Sequence, residues 1–212
     1  MSRPLLISDC DEVLLHMVAH FAEWLDEAHD YAFMLEEEGF LNAVRDRKNG
    51  IPVPHPRVLS LLDDFFDSEM HRQNVVPGAV EALSRIAEVA DIVILTNLGD
   101  EYQASRVAQL EAFDIRHEVL CNSGGKGRPV RELLQRYQPS ATVFVDDLAP
   151  HHKSVAEHAP GVWRLHMIAE PTVAAHMPPA PDAHVRIDDW ASACAWILDK
   201  FVPPSRPSDS SG

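Results

Sequence analysis

Two pairs of aspartates directly follow short apolar runs. Asp9 and Asp11 come after Leu5–Ser8, and Asp146–Asp147 come after Thr142–Val145. An open α/β sheet binds ligands at the carboxyl ends of its strands, so the four carboxylates would meet in one crevice. They would repel one another unless a cation lay among them. Oxygen ligands of this kind suit Mg²⁺, which keeps some of its waters and binds phosphate oxygens. Taken alone, the first pair is equally typical of a solvated turn.

Two other segments carry groups that could hold a phosphoryl group. Thr96 and Asn97 close the apolar run Ile92–Leu95, and Lys126 lies in the glycine-rich segment NSGGKGRP. A hydroxyl and an amide could bind phosphoryl oxygens, and an ammonium could neutralise a carboxylate and a phosphate together. Considered singly, Thr96 is better interpreted as a helix cap, and Lys126 can equally be a surface lysine in a turn.

The segments that would position these residues alternate between strands and helices. Apolar residues at helical spacing predict three helices, which begin near Ala79, Val130 and Trp190; Pro129 stands at a plausible first helical position, and Asp188 or Asp189 caps the third helix. Four short runs that are apolar, β-branched or aromatic-rich predict buried strands: Leu5–Ser8, Ile92–Leu95, Thr142–Val145 and Val162–His166. This alternation predicts the α/β class, with a Rossmann-like parallel sheet and helices on both faces.

One long stretch breaks the alternation. More than seventy residues separate the first two predicted strands, too many for one crossover helix. Apolar stripes predict two helices there, Val18–Leu25 and Val58–Phe65, and the middle, 31–50, fits either a helix or a small hairpin. We therefore expect residues 1–14 and 76–202 to form the core domain and residues 15–75 a small, mainly helical insert. Residues 203–212 read as a disordered tail, and the acidic run Glu36–Glu38 as a solvated face.

Composition narrows the classes of function. With 212 residues, 46% of them hydrophobic, the chain suits one compact domain with a modest insert. A net charge of −15 without a basic segment argues against nucleic acid and anionic membranes as partners. The longest wholly apolar run has six residues, Ala193–Leu198, which is too short to span a bilayer. Three cysteines without CxxC spacing, and an N-terminal apolar stretch too short for a signal peptide, predict a reduced, cytoplasmic protein.

The order of these motifs resembles that of the haloacid dehalogenase (HAD) superfamily. LLISDCDEV is similar to the first motif, an apolar strand followed by DxDx[TV], and DIVILTN is similar to the second. Lys126 matches the third motif, and TVFVDD matches the fourth. The resemblance covers residues 4 to about 150, and the chain beyond Pro150 adds no motif.

The resemblance implies a role for each site residue. Asp9 would be the nucleophile that forms an aspartyl-phosphate, and Asp11 the general acid and base. Thr96 and Lys126 would stabilise the charge on the transferring phosphoryl group. Asn97 would bind the phosphate or brace its loop.

The resemblance also implies a metal ion and a cap. Mg²⁺ would be held by Asp9, the backbone carbonyl of Asp11 and Asp147, with Asp146 a direct or water-bridged ligand. The insert would be a cap that closes over the crevice and selects the leaving group. The implied function is a Mg²⁺-dependent phosphatase of a small phosphorylated metabolite, and the sequence leaves the oligomeric state open.

The same residues are compatible with several alternative functions. A phosphomutase would use the same residues, and a non-catalytic binding protein would leave the clustered acids without a purpose. A phosphonate hydrolase would need a cap lysine, for which only Lys48 is available, and a carbon–halogen hydrolase would not need the acidic cluster.

Three histidines outside the four motifs, and Glu12 as a third acid within the first motif, are further candidates. His16 and His20 are spaced like metal ligands but lack a third partner, and His16 and His151 are better candidates for substrate contacts. Glu12 either points away from the crevice or disfavours substrates with extra negative charge.

Overall fold

The computed structural model describes residues 2–35 and 39–202. The predicted tail, 203–212, and the acidic run Glu36–Glu38 lie outside the described residues. No helix in the described ranges is long and apolar enough to cross a membrane.

Strands and helices alternate along most of the chain. The strands are β1 (Leu5–Ser8), β2 (Tyr31–Phe33), β3 (Val44–Asp46), β4 (Asp91–Thr96), β5 (Glu118–Cys121), β6 (Thr142–Asp146), β7 (Trp163–His166) and β8 (Val185–Arg186). The helices are α1 (Val18–His29), α2 (His55–Ser68), α3 (Ala79–Ala87), α4 (Gln103–Ala112), α5 (Gly127–Tyr137), α6 (Ala149–His158), α7 (Pro171–Ala174) and α8 (Trp190–Phe201). Three short 3₁₀ turns cover Phe40–Asn42, Met70–Arg72 and Asp100–Tyr102.

A six-stranded parallel sheet forms the centre of the fold. Its strand order is β5-β4-β1-β6-β7-β8, and every pair in it is parallel. Alternate residues of β1 belong to different apolar clusters. Leu6 packs in a cluster with residues of α3 and α8, and Leu5 and Ile7 pack in a cluster with residues of α5 and α6. Because both faces are buried, the central strands read as continuous apolar runs. The predicted α/β class, Rossmann-like sheet and helices on both faces are confirmed.

The segment between β1 and the main body of the sheet has its own apolar cluster. α1, α2 and the β2–β3 hairpin meet around Phe21, Leu25, Val44 and Phe65. The middle of this segment, which the sequence left open, contains the antiparallel hairpin. The two connections to the core run side by side, because Leu15 pairs with Val75 and the N–H of His16 donates to the carbonyl of Asn74 at 2.9 Å.

Two predicted helix starts can be compared with the structure. α5 begins at Gly127, two residues before Pro129, which therefore lies within the first turn instead of opening the helix. For α8 the cap is Asp189, whose carboxylate accepts the N–H of Ser192 at 2.8 Å. Asp188 instead accepts a hydrogen bond from the N–H of Ile168.

Candidate active site

The register of the sheet brings the ends of three strands to one edge. Ser8 of β1 is level with Val145 of β6 and with Ile94 of β4. The next residue, Asp9, donates its N–H to the carbonyl of Val145 at 2.8 Å. The side chains that follow these strands therefore share one crevice, as expected for the carboxyl edge of a parallel sheet.

A fully buried lysine joins two of the aspartates. Nζ of Lys126 lies 2.8 Å from Oδ2 of Asp9 and 2.7 Å from Oδ2 of Asp146. Burial opposes the charged ammonium, but the two carboxylates outweigh it and raise the pKa of Lys126 above its ordinary value. Lys126 is the residue before α5, and the next residue must be small. A Cβ on Gly127 would collide with the carbonyl oxygen of Ser154 in α6.

Three carboxylates lie close enough to bind one cation. Asp9, Asp146 and Asp147 each offer an oxygen, and these oxygens lie within 4.8 Å of one another. Burial raises the pKa of Asp9 to about 6, against the opposing charge of Lys126, and Asp146 adds to the rise. Burial, followed by the charges of Asp146 and Asp9, raises the pKa of Asp147 well above its usual range. Carboxylates that are crowded in this way are stabilised by a divalent cation with oxygen ligands, so the residues fit Mg²⁺.

The two aspartates of the fourth motif differ in how much of their carboxylate is free. Asp146 is buried, and both of its carboxylate oxygens are engaged. Oδ2 accepts a hydrogen bond from Nζ of Lys126, and Oδ1 accepts one from the N–H of Leu148 at 2.9 Å. Asp147 is half-buried and lines the cavity, and no described residue donates a hydrogen bond to its carboxylate. This difference favours Asp147 over Asp146 as a direct ligand.

Two residues outside the four motifs hold the side chain of Asp11. Nη2 of Arg106 contacts both carboxylate oxygens of Asp11, at 2.9 and 3.0 Å, and Nε2 of Gln73 donates to Oδ1 at 2.7 Å. Arg106 and Gln73 are buried, and the guanidinium also lies 5.8 Å from the centre of the Phe66 ring. One sequence signal existed: Arg106 stands four residues before Leu110 on the buried stripe of α4, a position where an unpaired arginine would be costly.

The remaining residues of the second motif also reach the crevice. Thr96 is the last residue of β4, is buried, lines the cavity and caps no described helix. The side chain of Asn97 braces its loop, since Nδ2 donates to the carbonyl of Gly124 at 2.9 Å and Oδ1 accepts from Asn122 at 2.8 Å. His151 lies 3.4 Å from Asn97, and burial, followed by the charge of Lys126, lowers its pKa to about 4. His151 is therefore neutral at pH 7.

Glu12 links the crevice to α1. Its backbone has a φ of 59°, in the left-handed region, and Oε1 accepts the N–H groups of Met17 and Val18 at 2.8 and 2.6 Å. The carboxylate of Glu12 thus caps the N-terminal end of α1 from outside the helix. The helix dipole stabilises a negative charge at this end. Burial raises its pKa to about 7, against the two backbone hydrogen bonds. Glu12 also lines the cavity.

The two histidines at helical spacing do not share a ligand. Nδ1 of His16 lies 3.6 Å from Glu170, and Nδ1 of His20 lies 3.2 Å from Glu23. Among the described residues, the acidic cluster is the one group of three or more residues arranged to hold a metal ion.

A cavity of about 430 Å³ opens above the acidic cluster. Its floor contains Asp9, Asp11, Thr96 and Asp147. Its described walls are mostly apolar and come from two segments of the chain: Leu35, Phe40, Leu62 and Phe66 lie between β1 and α3, and Ile168, Val173 and Met177 follow β7. This second segment carries no sequence motif, because its apolar residues lie in a short helix and the loops around it and have no recognisable spacing.

Comparison with solved structures identifies the fold. A haloacid dehalogenase-like hydrolase from Burkholderia xenovorans LB400 superposes with a TM-score of 0.60 at 17% identity, over 96% of this chain and 100% of that one. A HAD-hydrolase from Bacillus subtilis bound to magnesium has a TM-score of 0.63 at 14% identity, over 93% and 99%. A protein described as a predicted phosphoglycolate phosphatase from Haemophilus somnus 129PT has a TM-score of 0.56 at 14% identity, over 91% and 97%. The sequence matches no protein-family model and no curated protein.

Proposed function

The chain has the fold of the haloacid dehalogenase-like hydrolases, and we propose that it is a Mg²⁺-dependent phosphatase of a small phosphorylated substrate. One observation carries the proposal: the carboxylates of Asp9, Asp146 and Asp147 meet beside buried Lys126, and Asp9 and Asp147 line a cavity together with Asp11. We also propose residues 15–75 as a cap over this cavity, and the cytoplasm as the location, since the three cysteines are free thiols.

Asp9 is the proposed nucleophile. A carboxylate oxygen of Asp9 bonds to phosphorus while the bond from phosphorus to the alcohol oxygen breaks, which leaves an aspartyl-phosphate. The contact of Lys126 with Oδ2 of Asp9, and the 2.7 Å hydrogen bond from the N–H of Cys10 to Oδ1, hold this carboxylate in one orientation. Lys126 and the hydroxyl of Thr96 would offset the charge of the transferring phosphoryl group.

Asp11 is the proposed acid and base. It gives a proton to the leaving alkoxide, then takes one from the water that attacks the phosphorus of the intermediate and releases inorganic phosphate. Arg106 and Gln73 hold its carboxylate at the edge of the cavity.

The proposed ligands of Mg²⁺ are Asp9, Asp147 and the backbone carbonyl of Asp11, with Asp146 direct or water-bridged. Bound Mg²⁺ would neutralise the crowded carboxylates and the phosphate oxygens. An acidic cluster of this kind supports a phosphatase over a carbon–halogen hydrolase, which has no use for a cation at this position.

The deciding experiment is trapping of the intermediate. The purified protein is incubated with acetyl phosphate and Mg²⁺, quenched in acid and measured by intact mass, and turnover is measured in parallel with an aryl phosphate. We expect one added phosphoryl group and steady hydrolysis in the wild type, and neither in Asp9→Asn. Asp199→Asn is the matched control, because Asp199 is an exposed aspartate of α8 whose ionic partner among the described residues is Lys200. Full turnover by Asp9→Asn would end the proposal, and transfer of the group to a second acceptor instead of water would indicate a phosphomutase.

A further inference from the structure

The walls of the cavity have a different chemistry from its floor. Above the carboxylates, the described lining is formed by leucine, isoleucine, valine, methionine and phenylalanine side chains. Leu62 and Phe66 come from α2, Val173 comes from α7, and Met177 comes from the segment after α7. A substrate whose phosphoryl group lies on the floor must therefore place its leaving group among apolar side chains.

The described lining offers no cation to a second anionic group. It contains no lysine or arginine, and four acids lie along it: Asp9, Asp11, Glu12 and Asp147. The two buried cations beneath it are already committed. Lys126 contacts Asp9 and Asp146, and Arg106 contacts Asp11. A carboxylate or second phosphate in the leaving group would be buried without a partner and close to like charges, which is strongly unfavourable.

The described walls also have few partners for hydroxyl groups. Among the described lining residues, the polar side chains that are not acids are Thr96, Asn97 and His151, and these lie near the floor. The amide of Asn97 already bonds to Gly124 and Asn122. A polyol such as a sugar would lose its hydrogen bonds to water and find few replacements.

We infer that the substrate is a phosphate monoester of a neutral, mainly apolar alcohol or phenol. This inference rests on the proposed phosphatase function and adds the class of leaving group. The cavity of about 430 Å³ has room for a hexyl chain or an aromatic ring beyond the phosphate.

The test compares kcat/KM across matched substrates of the wild-type protein with Mg²⁺. Each methylene that the walls remove from water should raise kcat/KM about fourfold, so kcat/KM for hexyl phosphate should exceed that for propyl phosphate by roughly 50-fold. Replacing the terminal methyl of hexyl phosphate with a carboxylate should lower kcat/KM by roughly 100-fold, because the new charge has no partner. Glucose 6-phosphate should fall near the carboxylated ester.

A pair of variants on α2 locates the effect in the cavity. Leu62→Lys places an ammonium at the wall and should raise kcat/KM for the carboxylated ester while lowering it for hexyl phosphate. Leu59→Lys is the control, since Leu59 is on the same helix but 50% exposed and outside the cavity. It should leave the ratio of the two substrates unchanged. The comparison of substrates in the wild type stands even if Leu62→Lys fails to fold.

The outcomes separate the two proposals. Preference for hexyl phosphate supports the inference. Equal or better turnover of the carboxylated or sugar phosphate overturns it and leaves the phosphatase proposal intact. Failure of acetyl phosphate, which needs no apolar wall, to phosphorylate Asp9 overturns the phosphatase proposal, and the inference with it.

Discussion

Lys126 is a fully buried cation between two buried carboxylates, and Lys126→Met tests how much this charge stabilises the fold. The substitution keeps most of the side-chain length and removes the charge between Asp9 and Asp146, which lie 2.8 and 2.7 Å from Nζ. All three side chains are buried, so the two carboxylates would face each other without their cation. Breaking a buried pair by removing one partner costs about 3–5 kcal/mol, and we expect the free energy of unfolding to fall by that amount.

The assay is urea unfolding at pH 8 in the presence of a metal chelator. Tryptophan fluorescence reports on the core, because Trp190 is buried and its indole N–H donates to the carbonyl of Val13 at 2.8 Å. The matched control is Lys48→Met, whose side chain is 81% exposed and pairs with Asp30. An exposed pair of this kind contributes only about 0–1 kcal/mol.

Two further measurements tie the loss to charge. Excess Mg²⁺ should stabilise Lys126→Met more than the wild type, because the ion supplies the missing positive charge and no longer meets a repelling ammonium. Adding Asp9→Asn to Lys126→Met should cost less than the sum of the two single changes, by at least about 1 kcal/mol. A loss in Lys126→Met no larger than in Lys48→Met, with no coupling to Asp9, would refute the electrostatic reasoning.

Four other predictions follow from the same geometry. Asp147→Asn should raise the Mg²⁺ concentration for half-saturation in calorimetry by roughly tenfold or more, since a hard cation loses an anionic ligand; an unchanged titration would place the metal elsewhere. Asp11→Asn should slow an alkyl phosphate by roughly 10²–10⁴ and an aryl phosphate by less, because a weakly basic leaving group needs less protonation; equal losses in the transfer step would remove Asp11 from the acid role. Arg106→Met leaves Asp11 with Gln73 as its partner and should lower kcat for the alkyl ester while the Mg²⁺ titration stays unchanged; a shifted titration with normal kcat would contradict the positioning role. Burial lowers the pKa of His152 to about 4 from its ordinary 6.5, so the unfolded chain binds more protons below pH 6.5 and stability falls as the pH drops. Between pH 7 and pH 5, the free energy of unfolding of His152→Phe should therefore fall by about 2 kcal/mol less than that of the wild type, as measured by urea unfolding in chelator. Equal falls in the two proteins would show that His152 does not cause the pH dependence.

The fold was predictable where residues are buried on both sides. Leu5–Ser8, Ile92–Leu95 and Thr142–Val145 lie in the centre of the sheet, and their continuous apolar runs identify them as buried strands. β5 and β8 were missed. They lie at the two edges of the sheet, are four and two residues long, and are partly exposed, so no apolar run marks them.

The residues for the proposed chemistry were visible in the sequence for a related reason. Asp9, Thr96 and Asp146 stand at the ends of apolar runs, and parallel strands bring their carboxyl ends to one edge whatever the rest of the chain does. Chain position alone therefore predicted that these side chains would lie close together.

Only the tertiary structure shows which side chains contact each other when they are distant along the chain. Arg106 and Gln73 reach Asp11 from 95 and 62 residues away, and nothing in their local sequence indicates which carboxylate they contact. The apolar cavity likewise joins Leu62 of α2 to Val173 of α7, two segments with no shared spacing. Spacing along a chain predicts the periodic structure of a single helix or strand. The contacts between elements depend on how those elements pack, and that packing is set by the whole core.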